Sequence, residues 1–273
     1  MMAKATSRGR FIWHTLMTTD PKAALDFYTR VVGWKAEPWD KDPSYTVLLG
    51  NSGRVGGVMN LPAEARAAGA PPNWLSYIET PDLKATVDAA GRLGARVIKP
   101  ITELPDGSRL AVLADPQGSV FAAFTPFSPI QVNDPPKPGE FSWHELITTD
   151  YNAGLRFYQE LFGWEKLDAM DLGSPVGVYQ LFGWGGKSMG GAYNKPKEMP
   201  APPHWMPYAM VPDTRKAADT LTQAGGKVIA GPLEVPGGDL IVLAIDPQGA
   251  AFAVHSAAPT PAKTREPATA GRR

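Results

Sequence analysis

From Phe11 to Met17 the positions alternate, with Trp13, Thr15 and Met17 on one face and Ile12, His14 and Leu16 on the other, the period of a strand. A helix with a marked start follows. Asp20 stands at the N-cap, Pro21 opens the first turn, Phe27, Tyr28, Val31 and Val32 form an apolar stripe, and Gly33 ends it. Strand-like runs lie around 45–49 and 55–60. The order then restarts with a strand at 74–79, a helix from Asp82 to Leu93 closed by Gly94, and strands near 96–99, 109–114 and 119–124.

The whole pattern recurs. FIWHTLMTTDPKAALDFYTRVVGW, from Phe11, returns as FSWHELITTDYNAGLRFYQELFGW, from Phe141, 130 positions later (141 against 11). PPNWLSYIETPD returns as PPHWMPYAMVPD and ADPQGSVFAAF as IDPQGAAFAVH, both at an offset of 131 (202 against 71, 245 against 114). A repeat at this scale marks a tandem duplication. The expected domains are 10–126 and 140–256, each an α+β unit made of two βαβββ halves, with Asp150, Gly163, Asp213 and Gly225 as punctuation in the second. A Pro-rich linker occupies 127–139, and a small, polar tail at 257–273 reads as disordered.

Lys+Arg and Asp+Glu both number 27, a balance that points to neither nucleic acid nor an anionic membrane as a partner. The chain has no cysteine, so disulfides, thiolate nucleophiles and Cys-ligated metals are excluded. No apolar run approaches the roughly 18 residues of a membrane span, and MMAKATSRGR lacks an apolar signal, so a cytoplasmic protein with a small-molecule partner is expected. Oligomeric state stays open.

A strand, an Asp, an FY-containing helix ending in GW, and DPxG before a final strand resemble the vicinal-oxygen-chelate superfamily of glyoxalases, bleomycin-resistance proteins and extradiol dioxygenases. The WHELxTTD…FY…FGW version is similar to tandem-domain actinobacterial glyoxalase-like proteins. The resemblance implies two tandem glyoxalase-like domains, each folding its two βαβββ units into a cup-shaped sheet that holds one small molecule. It also implies metal ligands seven residues before the Asp that opens each helix and seven after the DPxG Asp. Those positions hold Trp13, Leu75 and Ala122 in the first copy and Trp143, Met206 and Ala253 in the second. None offers an oxygen or imidazole donor, so the resemblance carries no metal or other cofactor into this chain.

Strand parity places Thr15, Asn73, Tyr77 and Phe124 beside those positions in the first copy, and Glu145, His204, Tyr208 and His255 in the second. Titratable groups therefore converge in one half. Glu145 is the candidate general base, Tyr208 the candidate hydrogen-bond donor, and His204 and His255 complete the candidate catalytic set. Trp13, Thr15, Tyr77, Trp143 and Met206 are candidate ligand-binding walls, an aromatic lining suited to a planar or hydrophobic molecule. Asn60 and Asn194 end strands that follow GRVGGVMN and GKSMGGAYN, read as hairpin glycines, and Asn194 is a candidate ligand contact. His14 and His144 fall on the opposite face, as core histidines. GWGGKS fails as a phosphate loop because Leu181 stands where the first glycine belongs.

Two functions follow. One is a metal-free cup, mainly in the second domain, that binds a small aromatic or hydrophobic metabolite. The alternative is an enzyme on such a metabolite, a lyase, isomerase or hydroxylase-like activity with Glu145 as base, or a metal enzyme through a shifted site.

Overall fold

The structure, a computed structural model, describes residues 8–258. The tail expected to be disordered therefore lies, from 259 onward, outside the described residues. The first copy forms β1 (Phe11–Thr18), α1 (Pro21–Val31), β2 (Lys35–Trp39), β3 (Asp42–Gly50), β4 (Gly53–Asn60), α2 (Ala63–Ala67), β5 (Asn73–Glu79), α3 (Leu83–Arg92), β6 (Arg96–Glu103), β7 (Arg109–Ala114) and β8 (Val120–Thr125). The second forms β9 (Phe141–Thr148), α4 (Tyr151–Phe162), β10 (Glu165–Asp171), β11 (Val178–Trp184), β12 (Lys187–Asn194), β13 (His204–Met210), α5 (Thr214–Gln223), β14 (Lys227–Glu234), β15 (Leu240–Ile245) and β16 (Ala251–Ser256).

The helix starts follow from side-chain caps. Asp20, Asp82 and Asp150 each accept from the backbone N–H three residues on, at 3.0, 3.0 and 3.1 Å, satisfying a donor that the first turn leaves unpaired. Gly163, in the left-handed region at φ 77°, ends α4 as the sequence predicts. β2, its counterpart β10 and α2 escaped prediction. β2 reads KAEPW, a mostly exposed edge strand with no apolar alternation, and α2 is a short exposed turn of helix.

Each copy builds its own eight-stranded mixed sheet, in the order β2-β3-β4-β1-β5-β8-β7-β6 and β10-β11-β12-β9-β13-β16-β15-β14. The two βαβββ halves meet where β1 pairs antiparallel with β5, and β9 with β13. One face of each sheet carries its own apolar cluster, around Leu75, Tyr77 and Ala122 in the first domain and Met206, Tyr208 and Ala253 in the second. These faces are the cups.

The opposite faces pack across the two domains. One shared core joins Phe27, Tyr28 and Trp74 to Leu221, Val242 and Phe252, and the other joins Ile78, Leu83 and Phe121 to Tyr158, Phe162 and Trp205. The repeat motifs hold this layer in pseudo-symmetric pairs. Tyr28 donates to Asp246 Oδ2 and Tyr158 to Asp115 Oδ2, both at 3.1 Å, while Trp74 and Trp205 donate to those same phenol oxygens at 3.0 and 2.9 Å. Trp34 Nε1 donates to Gly139 O and Trp164 Nε1 to Gly9 O, both at 2.7 Å. The FY, GW and DPxG signatures thus bind one domain to the other. The linker packs as well: Ile130 and Val132 lie on the first cup's cluster, and Asn133 donates to Glu140 Oε1 at 2.5 Å.

Candidate functional site

In the first cup the central polar groups partner one another. Thr15 Oγ1 lies 2.8 Å from Tyr45 Oη and 3.1 Å from Tyr77 Oη, and Trp13 Nε1 donates to Tyr45 Oη at 2.8 Å. The second cup repeats the frame with a carboxylate at its centre. Trp143 Nε1 donates to Tyr179 Oη at 2.8 Å, and Tyr179 and Tyr208 both donate to Glu145 Oε1, at 2.9 and 2.8 Å. Glu145 Oε2 is buried and has no partner. Burial raises the Glu145 carboxyl to about 7, against the hydrogen bonds from Tyr208 and Tyr179, which lower it. The same burial, together with the charge of Glu145, holds the phenols of Tyr179 and Tyr208 well above their ordinary range, so both remain donors.

An orphaned buried carboxylate oxygen costs about 1–3 kcal/mol or more. As a carboxylate, Oε2 needs a donor; as an acid, its O–H needs an acceptor. A hydroxyl answers both. The surroundings are apolar and aromatic: Met206 faces Glu145 in the strand register, and Tyr179, Tyr193 and Trp143 belong to the same cluster.

Tyr45 and Tyr179 are the site residues that sequence reasoning missed. The signal lay in the paired glycines. A Cβ on Gly57 would sit 2.2 Å from the Tyr45 ring, and one on Gly191 would sit 2.1 Å from the Tyr179 ring. The runs do form hairpins into β4 and β12, strands that end at Asn60 and Asn194, but these two glycines lie inside the strands and not in the turns, and each clears the strand surface for a tyrosine to lie across it. Their neighbours Gly56 and Gly190 bring the strand against the carbonyls of His14 and His144, 2.4 and 2.0 Å from a would-be Cβ.

The structure gathers Trp143, Glu145, Met206 and Tyr208 in one cup and Trp13, Thr15 and Tyr77 in the other. It does not bring the remaining candidates to Glu145. His204 is paired opposite Ile147, about 7 Å along the strand from Met206, and its Nδ1 lies 2.8 Å from Pro202 O, at the mouth. His255 engages Ser142 and Asp239 instead. Asn194 is exposed and its Oδ1 accepts from Tyr151 N at 2.8 Å, tying down the start of α4; Gly191 and Tyr193, on the other parity, face the cup. Asn60 is likewise exposed.

His14 and His144 are buried where the domains meet, Nε2 to Nε2 at 2.9 Å, with Phe11 stacked on His144 at 3.7 Å and Phe141 against His14 at 3.9 Å. Burial lowers both, His144 to about 3, so the pair is neutral and shares one proton. Two adjoining cavities of about 490 and 130 Å³ lie over this pair under the linker, both lined by Phe11, Asn133, Phe141 and His144.

The fold family implies a divalent metal, and the donor set does not fit one. The six mapped positions are apolar, Glu145 is the one carboxylate at its cup's centre, and its neighbours are neutral phenols. Among the described residues no three His, Cys, Asp or Glu side chains converge.

Fold and site define a two-domain cup protein, with the chemically distinctive cup in the second half. The family model for the Glyoxalase/Bleomycin resistance protein/Dioxygenase superfamily matches residues 10–122 and 140–254, and the chain belongs to that superfamily. It is 31% identical over 254 residues to "Putative glyoxylase CFP32" of Mycobacterium tuberculosis, covering 90% of this chain and 94% of that protein. It is 27% identical to "Anthracycline biosynthesis protein DnrV" of Streptomyces peucetius, covering 89% and 91%. Its fold is similar to the 2,3-dioxygenase LapB of Pseudomonas sp. KL28 (TM-score 0.65, 12% identity, covering 96% and 97%). It is also similar to the Mn(II)-bound glyoxalase of Novosphingobium aromaticivorans (TM-score 0.60, 13% identity, covering 94% and 88%). No helix among the described residues is long and apolar enough to cross a membrane.

Proposed function

We propose that the second cup binds a planar, hydroxyl-bearing aromatic or hydrophobic metabolite without a metal, in the cytoplasm, and that the first cup contributes little to binding. The observation that carries this is the buried, unpartnered Glu145 Oε2 among Tyr179, Tyr208 and Met206. A ligand hydroxyl supplies the missing partner, and the aromatic walls supply the apolar surface. The similarity to a protein named for anthracycline biosynthesis supports a polycyclic, hydroxylated ligand class.

The test uses 1,2-dihydroxyanthraquinone as probe, followed by quenching of tryptophan fluorescence. Glu145→Gln keeps the size of the side chain and removes its charge, and losing a charged hydrogen bond of about 1.5–3 kcal/mol weakens binding roughly 10- to 100-fold. Thr15→Val leaves it within about twofold. If Thr15→Val is the more damaging, the first cup is the working site. Elemental analysis finds no stoichiometric metal, and one Zn, Fe, Mn or Ni per chain overturns the metal-free reading.

A second reading rests on one observation, the Glu145 carboxyl raised to about 7. A carboxylate so poised can take a proton from a bound hydroxyl or an acidic C–H near neutral pH and return it elsewhere, the exchange an isomerase or lyase needs. The phenols of Tyr179 and Tyr208 hold Oε1 and aim Oε2. Exchange of ligand protons for solvent deuterium, present in the wild type and absent in Glu145→Gln, tests it.

A further inference from the structure

Away from Glu145, a second constellation runs through the start of β9. Between Phe141 and Trp143 the pairing of β9 with β13 shifts by one residue, a bulge that inserts Ser142. Ser142 Oγ lies 2.9 Å from His255 Nδ1, and His255 Nε2 lies 2.9 Å from Asp239 Oδ2. Asp239 also accepts from the Ala258 N–H at 2.7 Å. Partial burial pushes the Asp239 carboxyl up, but the hydrogen bonds from His255 and Ala258 outweigh it and hold the carboxyl below its ordinary range. An ionised Asp239 can only accept, so the neutral His255 imidazole carries its proton on Nε2 and presents the Nδ1 lone pair. Ser142 therefore donates to Nδ1, in preference to the longer 3.4 Å contact with Tyr208 O. Nucleophile, base and orienting carboxylate stand in the order that activates a hydroxyl, with the roles of the two imidazole nitrogens exchanged relative to the serine-protease arrangement.

Two further observations separate this array from a mere structural network. Ser142 lines the cavity of about 490 Å³, which puts this residue beside space that a small molecule can enter. Arg10 and Lys187 line the same cavity against the single carboxylate of Asp134, which pairs with Lys187, leaving a net positive wall. The array is also confined to the second domain. The matching first-domain positions hold Ile12, Phe124 and Ser108, and the core there closes with apolar groups.

We propose that Ser142 is a nucleophile toward small anionic esters in the cavity beneath the linker, with His255 Nδ1 as its base and Asp239 as the residue that positions the imidazole. Ser142 Oγ bonds to the ester carbonyl carbon while its proton passes to Nδ1. The tetrahedral adduct collapses, the alkoxide leaves with that proton as the alcohol, and an acyl-serine remains. Water adds by the same route and releases the carboxylic acid. Net, one ester and one water become one acid and one alcohol, with no oxidant or reductant. The reaction stands apart from the Glu145 cup and does not depend on the function proposed for it.

The test is covalent labelling of the full chain. Diisopropyl fluorophosphate forms a phosphoryl ester with an activated serine and releases fluoride, and peptide mass spectrometry locates the adduct. The expected adduct is on Ser142, absent in Ser142→Ala and at least tenfold slower in His255→Asn. Asp239→Asn slows labelling, and Asp239→Glu, which restores an acceptor, recovers most of the rate; equal rates in wild type and Asp239→Asn overturn the role given to Asp239. A second arm does not depend on the phosphoryl probe fitting or on His255→Asn folding. The native chain has no cysteine, so Ser142→Cys carries the only thiol, and iodoacetamide at pH 7 reads its activation directly. Alkylation at least tenfold faster than that of free cysteine, or the Ser142 phosphoryl adduct, supports the proposal; absence of both overturns it.

Discussion

Replacing Glu145 by Gln changes how stability depends on pH, and the sign follows from where the proton sits. The unfolded carboxyl titrates near its ordinary value of 4.5, and the folded one near 7, because burial among Met206 and three tyrosines disfavours its charge. Between those values the folded chain holds a proton that the unfolded chain has lost, so stability falls as pH rises from about 4.5 to about 7 and is level above it. The gap of about 2.5 pH units corresponds to about 3 kcal/mol. Gln cannot titrate. It keeps an oxygen for the two phenols and places an amide N–H₂ where Oε2 lacks a partner, a cost independent of pH. The stability of Glu145→Gln relative to wild type should therefore improve by about 3 kcal/mol between pH 4.5 and 7.5. The other buried groups with shifted values (His14, His144, Asp115, Asp246) are present in both chains and cancel in the difference. Urea titrations of both proteins at four or five pH values in that range give the difference directly. Curves that stay parallel to within about 1 kcal/mol would falsify the raised carboxyl, and with it the desolvated cup on which the binding proposal rests.

Gly191→Ala should cost about 1–3 kcal/mol, since its Cβ would overlap the Tyr179 ring, and should also abolish probe binding; Gly57→Ala, overlapping Tyr45, should match the loss of stability in urea but leave binding in place. Tyr28→Phe and Tyr158→Phe each strand a buried Asp oxygen and an indole N–H, so each should lower stability by about 1–3 kcal/mol in denaturant titrations, and equal losses would mark the pseudo-symmetry as energetic. In acid, each interface histidine should remove stability as pH falls below 6.5, by about 1.4 kcal/mol per unit until its folded value is reached, about 3 for His144. A His14→Gln, His144→Gln chain should show a flatter acid limb in the same titration.

Much of the fold was legible because the signals are local. Asp20, Asp82, Asp150 and Asp213 each cap a helix, and strand alternation set the faces of β1 from Trp13 onward; Ile12, expected on the face of His14 and Leu16, instead joins Trp13 and Met17 in the cup cluster, because the pairing with β5 shifts between Phe11 and Trp13. β2 was not legible, since an exposed edge strand need not alternate. In the site, parity carried Trp143, Glu145 and Tyr208 to one wall, because the period of a strand is fixed. Tyr179 could not be placed that way. Its ring reaches Glu145 from two strands away, and only the absence of a side chain at Gly191 lets it cross. His255 failed for a related reason: parity gives a direction, but the bulge at Ser142 supplies a nearer partner.

The duplication divides its labour between the two faces of each sheet. On the shared face the motif residues are bound in reciprocal pairs: Tyr28 with Asp246 and Tyr158 with Asp115, His14 with His144. A change to one member of such a pair strands its partner in the other domain, so the two copies must keep the same residues there. The cup faces carry no such constraint. Each is closed by its own cluster. There Thr15 can stand against Glu145 and Asn73 against His204 without disturbing the interface. The first cup spends its polar groups on one another, Thr15 with Tyr45 and Tyr77, whereas the second leaves Oε2 unmatched. An interface that fixes both copies as one body thus allows the second to carry a destabilising carboxylate that a lone domain, with half the shared core exposed, would be less able to tolerate.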